Sequence, residues 1–326
     1  MASINDVAKK ANVAKSTVSL VINNSGYVSR ETRQKVEQAI KELNYTPSQL
    51  GRNLSRSRTN LIGIIIPDVS HPFYGTFVKY AEEALYQKGF KTMLCATVEK
   101  ENMELEFINM LKSHTMDGII MGAHSLLQEQ YIQLTQPIVA FDRDLGNEIP
   151  LIQADHIEGG RMAAKSFEKW NCKNIVQVSG AKIVNTPAHS YHKSFEESLL
   201  EKGICINSIE MSHNAFQEQD FARTAKELFD QYPDVDGIFG ADLLVMACIR
   251  EARKRRKEIP GNIKVMAYDG TYITRLGNQT LNAIVQPVKE MAYACAQTID
   301  SLIKGDELPN RSQIYPLSVQ IGDEFM

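Results

Sequence analysis

The 326 residues predict an α/β protein in three parts. An N-terminal three-helix, helix-turn-helix headpiece comes first, then a hinge helix, then a two-lobed core of doubly wound parallel sheets. Three observations carry this reading. Between residues 4 and 23 the apolar side chains Ile4, Val7, Ala8 and Ala11, then Val18, Val21 and Ile22, keep helical spacing in two blocks broken at Asn12–Val13. From Leu61 onward, continuous apolar runs alternate with amphipathic stretches, as parallel strands covered by helices on both faces require. The formal charge of −3 is also unevenly divided. Residues 1–60 carry ten Lys or Arg against four Asp or Glu, a net of +6, and the remainder carries 26 against 35, a net of −9.

Helices joined by so tight a turn must cross steeply, and such a pair lays its second helix in the DNA major groove. Ser3, with Asp6 three residues on, can cap the first helix, whereas Ala14 offers the second no side-chain cap. Val36, Ala39, Ile40 and Leu43 give a third helix one apolar stripe after Ser29, and Asn44 is its expected stop. The segment Tyr45 to Asn60 then places Thr46 and Pro47 at the start of a helix only two turns long. It carries Leu50 and Leu54 among Arg52, Arg56 and Arg58. So short a helix is marginal in water, and Gly51 weakens it by about 1 kcal/mol. It reads as a linker that folds when held, with Leu54 placed to wedge into the minor groove.

In the core, strands are expected at Leu61–Ile66, Lys91–Ala96, Gly118–Met121, Ile138–Phe141, Ile175–Val178, Gly237–Gly240 and Lys264–Tyr268. Helices are expected at Phe73–Lys88, Glu101–His114, Glu158–Trp170, Tyr191–Lys202, Glu218–Gln231 and Leu243–Arg256. A weak repeat, Asp117 to Ala123 against Asp236 to Asp242, supports two lobes. Ligands of such folds bind beyond the C-terminal strand ends. Those ends place Asp68 to Tyr74, Asp142, Gly180 onward, Ala241–Asp242 and Asp269 at the cleft.

Composition excludes several other classes. Apolar content of 43% with 23% charge is ordinary for a globular protein, and the longest apolar run, Leu61 to Ile66, is far too short to span a membrane. The N-terminus lacks an apolar signal core, so a cytoplasmic location and no membrane partner are expected. Five cysteines without short pair spacing imply reduced thiols. His189 and His192 lack a third metal ligand at usable spacing, and Arg253 to Lys257 reads as a helix C-terminus complementing its dipole. No phosphate loop, nucleophile elbow or metal cluster is present, so neither an enzyme nor a cofactor is expected.

Over its full length the chain resembles the LacI/GalR family of transcriptional repressors. The likeness rests on Asp6-Val7-Ala8, Val13 to Asn23 with Thr17-Val18-Ser19, Tyr45 to Leu54, Ile66-Pro67-Asp68 with Pro72-Phe73-Tyr74, and Tyr268-Asp269-Gly270. The segments Gly159 to Ala164 and Pro137 to Arg143 look most like Gram-positive sugar-operon repressors of the sucrose type. The resemblance implies a homodimer on near-palindromic double-stranded operator DNA, and a core like the periplasmic sugar-binding proteins with three crossovers between lobes. It divides the chain into a headpiece (1–45), a hinge (46–59) and a core (60–326). The first lobe would take about 60–157 and 286–310, and the second about 158–285 and 311–326.

By the same likeness Lys15 and Ser16 take the main base-reading places and Leu54 the minor-groove lever. Thr17, Leu20, Asn23, Tyr27, Arg30, Arg52 and Ser55 complete the candidate DNA-binding set. Effector candidates are Ser70, Phe73, Tyr74, Asp142, His189, Tyr191, Ala241 and Asp269. Three departures stand out: Leu20 replaces a base-reading Arg, Tyr191 the effector-gripping Arg, and Ala241 the usual Asn. The expected function is repression of a carbohydrate-utilisation operon under a small sugar or sugar phosphate. Control by a phosphocarrier corepressor is the alternative, and a sugar-binding transport component the remote one.

Overall fold

The computed structural model describes residues 2–46, 58–98, 103–124, 126–277 and 279–323. The chain divides into two compact units, Met1–Thr59 and Asn60–Met326.

The headpiece holds helices α1 (Ile4–Ala11), α2 (Lys15–Ile22) and α3 (Arg30–Glu42). Ser3 and Asp6 form the full capping box: the Ser3 amide donates to the Asp6 carboxylate at 2.8 Å while the Asp6 amide donates to Ser3 Oγ at 3.3 Å. Asn12, at φ 52, reverses the chain, and the Val13 amide closes the turn on Ala8 O. Ala14 opens α2 without a side-chain cap. At the end of α3, Asn44 takes φ 49, with its amide on Lys41 O and that of Tyr45 on Ile40 O. That is a Schellman stop built on Asn instead of Gly. Val7, Val18 and Val36 are wholly buried at the centre of the small core. The hinge candidates Pro47, Leu50, Gly51, Arg52, Leu54, Ser55 and Arg56 lie outside the described residues.

In the larger unit, strands β1 to β5 (Leu61–Ile66, Lys91–Ala96, Gly118–Met121, Ile138–Phe141, Leu151–Ala154) build one sheet. Strands β6 to β10 (Asn174–Ser179, Cys205–Glu210, Gly237–Ala241, Lys264–Asp269, Ala283–Val285) build a second. Strand β11 (Ser312–Tyr315) then joins the first sheet beside β5, and β12 (Ser318–Gln320) the second beside β10. The orders are β11-β5-β4-β3-β1-β2 and β12-β10-β9-β8-β6-β7, parallel except for β10 against β12. Helices α4 (Pro72–Gln87), α5 (Met103–Lys112), α6 (Gln128–Ile132), α7 (His156–Lys169), α8 (His189–Leu200), α9 (Glu218–Gln231), α10 (Asp242–Lys254) and α11 (Val288–Lys304) connect them. Each lobe is a doubly wound α/β layer, and the chain crosses between lobes after β5, after β10 and after β11. No described helix is long and apolar enough to cross a membrane.

Two details differ from the sequence reading. The tail was assigned to the second lobe from residue 311, but Ser312–Tyr315 pairs with Leu151–Ala154 in the first sheet. Pro316, which has no amide proton, then ends that pairing, and the second lobe resumes at Ser318. Strands β5, β7 and β10 were also missed. β10 is three residues long, and β7 alternates exposed and half-buried positions at a sheet edge, so neither presents a continuous apolar run.

Glycine shapes the second lobe at one close approach. A Cβ on Gly160 would fall 2.1 Å from Ser194 Oγ and 2.2 Å from Tyr191 O. Helices α7 and α8 therefore touch backbone to backbone, which holds the first turn of α8 at the cleft.

Candidate functional sites

The headpiece presents its early α2 side chains outward. Lys15 and Ser16 are exposed and Thr17 is half-buried. Lys15 has no carboxylate partner among the described residues, whereas Lys10 pairs with Glu42 and Lys35 with Glu31. Leu20 is half-buried, with Cδ2 lying 3.2 Å from where a Cβ of Gly26 would sit, so it covers the loop after α2. Asn23 ends that helix: its Nδ2 donates to Ser19 Oγ at 3.2 Å, and its Oδ1 is enclosed without a partner. Tyr27 is 94% exposed and Arg30 opens α3 on the surface. Arg52, Leu54 and Ser55 fall outside the described residues.

In the core a cavity of about 160 Å³ lies between the lobes. Seven of the eight effector candidates line it: Phe73 and Tyr74 from the first turn of α4, Asp142 after β4, His189 and Tyr191 from the first turn of α8, Ala241 at the end of β8 and Asp269 at the end of β9. Ser70 does not. Its amide and Oγ both donate to Asp68 Oδ1 at 2.8 Å, which folds it into an exposed turn facing the outer grooves.

The two aspartates at strand ends adopt φ 50 (Asp142) and φ 116 (Asp269), backbone states that side chains other than glycine rarely take. Asp269 accepts from Gln286 Nε2 at 2.8 Å. Beside it, buried Asp242 receives the Gly270 amide, the Thr271 amide and Thr271 Oγ1 at 3.1, 2.7 and 2.6 Å. Burial raises the pKa of Asp242 to about 6 despite those donors. Burial, then the neighbouring Asp242, raises that of Asp269 well above the usual carboxylate range.

A chain of polar groups spans the lobes behind this pair. Tyr268 Oη and Asp142 Oδ1 each lie 2.6 Å from the buried His156 ring, at Nδ1 and Nε2 respectively. The carboxylate can only accept, so Nε2 carries a proton toward Asp142. Tyr191 stacks between Tyr268 (3.7 Å between centroids) and His192 (3.9 Å). Thr186 Oγ1 donates to Asp142 O at 2.9 Å, and buried Arg143 donates to the carbonyls of Ala123 in the first lobe and Asn185 in the second. Burial lowers the pKa of His71 to about 4, and those of His124 and His192 to about 3, so all three are neutral near pH 7. It also keeps the Tyr74, Tyr191 and Tyr268 hydroxyls protonated.

Cleft residues outside the named effector candidates are His124, Tyr268 and Gln286, together with His192 and with His71, which falls inside the Asp68 to Tyr74 stretch without being singled out. His71 and Tyr268 stand beside strand-end positions that were chosen, so the rule that found Tyr74 and Asp269 reaches them too. Gln286 follows β10, a strand that gave no sequence signal.

Fold and sites together define a class: a helix-turn-helix reader joined to a two-lobed small-molecule receptor. Residues 3–48 match the family of bacterial regulatory proteins called the lacI family, and residues 59–318 match the periplasmic binding proteins and sugar-binding domain of that family. The chain belongs to the LacI family of DNA-binding transcriptional regulators. It is 33% identical to the sucrose operon repressor of Streptococcus mutans serotype c, across 99% of both chains. It is also 33% identical to the ribose operon repressor of Halalkalibacterium halodurans, across 89% of this chain and 87% of that one. A LacI-type regulator from Alkaliphilus metalliredigens QYMF, solved with D-xylulofuranose, is 26% identical with a TM-score of 0.72, covering 81% of this chain and 98% of that one.

Proposed function

We propose that this chain is the repressor of a carbohydrate-utilisation operon, binding operator DNA as a homodimer and releasing or gripping it according to a sugar in the interlobe cleft. The observation that carries this reading is the cavity itself. Donors, acceptors and aromatic faces from both lobes converge on one small space, as a ligand-operated two-lobed switch requires. The sucrose and ribose operon repressors among its relatives, and the pentulose in the related structure, support a sugar as the occupant. Exposed Tyr86, Met93 and Leu94, the last two on the edge strand β2, support a partner subunit on the first lobe. A groove of about 830 Å³ beside α10, lined by Leu243, Met246 and Ile249, supports the same on the second.

In the headpiece, exposed Lys15 and Ser16 would read base edges, and Leu54 would wedge into the minor groove. Lys15→Ala and Leu54→Ala are each expected to weaken operator binding at fixed salt by about 1–3 kcal/mol, with a far smaller effect on random-sequence DNA. Equal losses on both DNAs, measured by fluorescence anisotropy, would remove these side chains from sequence recognition. Tyr191 in place of the effector-gripping Arg, and Ala241 in place of Asn, favour a second reading, control by a phosphocarrier protein. Stabilisation by that protein and by no sugar would establish it.

A further inference from the structure

The cleft states which kind of sugar it takes, provided that the effector reading above holds. Its volume is about 160 Å³. It falls below the 300–1,000 Å³ of sites for larger ligands. Such a space matches a single sugar ring better than two. The charge around it is the second constraint. Among the described residues no Lys or Arg lines the cavity, while Asp142 and Asp269 both do. The nearby guanidinium of Arg143 is already turned onto two backbone carbonyls. Helix N-termini can also hold anions, but α10 opens on Asp242 itself, α4 follows the Asp68–Ser70 turn with Pro72 removing one donor, and the opening amides of α8 (His189, Ser190 and Tyr191) already donate to the carbonyls of Thr186, Pro187 and Ala188.

The third observation is a pair of orphaned polar atoms in the lining. His71 Nδ1 and Gln286 Oε1 are buried and have no hydrogen-bond partner, although His71 is only 7% and Gln286 only 6% exposed. A buried polar atom left unpaired is costly, so two of them lining one cavity mark where a ligand's polar groups belong. Gln286 is anchored through Nε2 to Asp269, which leaves its oxygen as an acceptor beside the carboxylate. His71 is held by aromatic packing against Tyr74, Phe216 and Phe221.

We propose that the cleft takes a single unphosphorylated monosaccharide or polyol of that size, held through its hydroxyls by Asp269, Gln286 Oε1 and His71 Nδ1, and that it rejects phosphorylated and two-ring sugars. The lack of any Lys or Arg in the described lining disfavours the phosphate, and the small volume disfavours the second ring.

The test is calorimetric titration of the full-length protein with a panel of free pentoses and hexoses, their monophosphates, and sucrose. At least one free monosaccharide is expected to bind, its phosphate at least a hundredfold more weakly, and sucrose not at all. Gln286→Leu and His71→Phe should each weaken the bound sugar tenfold or more, and Gln286→Asn, with a shorter arm, serves if the leucine variant fails to fold. Tightest binding by a phosphate or by sucrose, abolished by Asp269→Asn, would overturn the proposal while leaving the cleft as the effector site. Binding by no sugar would overturn both. Undiminished binding in the Gln286 and His71 variants would remove those side chains from the site.

Discussion

Asp269 and Asp242 place two buried carboxyl groups side by side at the cleft, and the protein pays for that placement with proton uptake. Asp242 rises from an ordinary 3.8 to about 6, and Asp269 also rises well above 3.8. Above pH 4 the folded chain therefore holds protons that the unfolded chain has released. Their stabilising contribution is complete below about pH 4 and is lost as pH rises through the folded values. His71, His124 and His192 act in the opposite sense. With values lowered from 6.5 to about 4 or 3, they stabilise fully above pH 6.5, and that contribution is lost on acidification toward pH 4. Asp269→Asn removes the carboxyl cost while keeping a side chain that tolerates positive φ. The variant should melt a few degrees above the parent at pH 7.5 and within error of it at pH 4.5, and should lose sugar binding. A lower melting temperature at pH 7.5 would mean that the Asp269–Gln286 bond outweighs the burial of the acid.

At the scale of elements, the second lobe's cleft wall depends on two helices in backbone contact. Gly160 lets α7 approach the first turns of α8, where Ser194 Oγ donates to Ile157 O at 2.9 Å and Tyr191 turns toward the cavity. Gly160→Ala puts a methyl group where Ser194 Oγ and Tyr191 O already stand. Overpacking of this kind costs about 1–3 kcal/mol, so the melting temperature should fall by several degrees and sugar affinity with it. A variant that kept both would show that the helices can separate freely. Central elements such as β1, β3 and β4 were legible in the sequence because burial on both faces writes an unbroken apolar run. β7 and β10 were not, because an edge strand and a three-residue strand write none. The cleft inherited that gap: the acids after long strands were found, while Gln286, behind the short β10, was not.

In the molecule as a whole, polar ties close the cleft from both sides. The Asp142–His156–Tyr268 chain joins the end of β4 to the end of β9, while Arg143 and Thr186 tie the facing loops across the gap. Three separate chain crossings restrict the lobes to hinge-like motion, and a ligand can bias that motion only by touching both lobes. The residues of the described cavity do so. The basic headpiece and acidic core were legible from charge alone, and the helix-turn-helix from two blocks of apolar spacing. Arg143 was not, because a buried arginine after a strand looks in sequence like any surface cation.

The central claim joins the two units: a free monosaccharide in the cleft controls DNA binding by the headpiece. The most direct test selects an operator for the purified full-length protein from random duplex DNA. Operator affinity is then measured against increasing concentrations of the monosaccharide that binds most tightly, in the parent and in Asp269→Asn. The account predicts a change in operator affinity of about fivefold or more, a coupling of about 1–3 kcal/mol, with the variant unresponsive. A sugar that binds the cleft yet leaves operator affinity unchanged would contradict it.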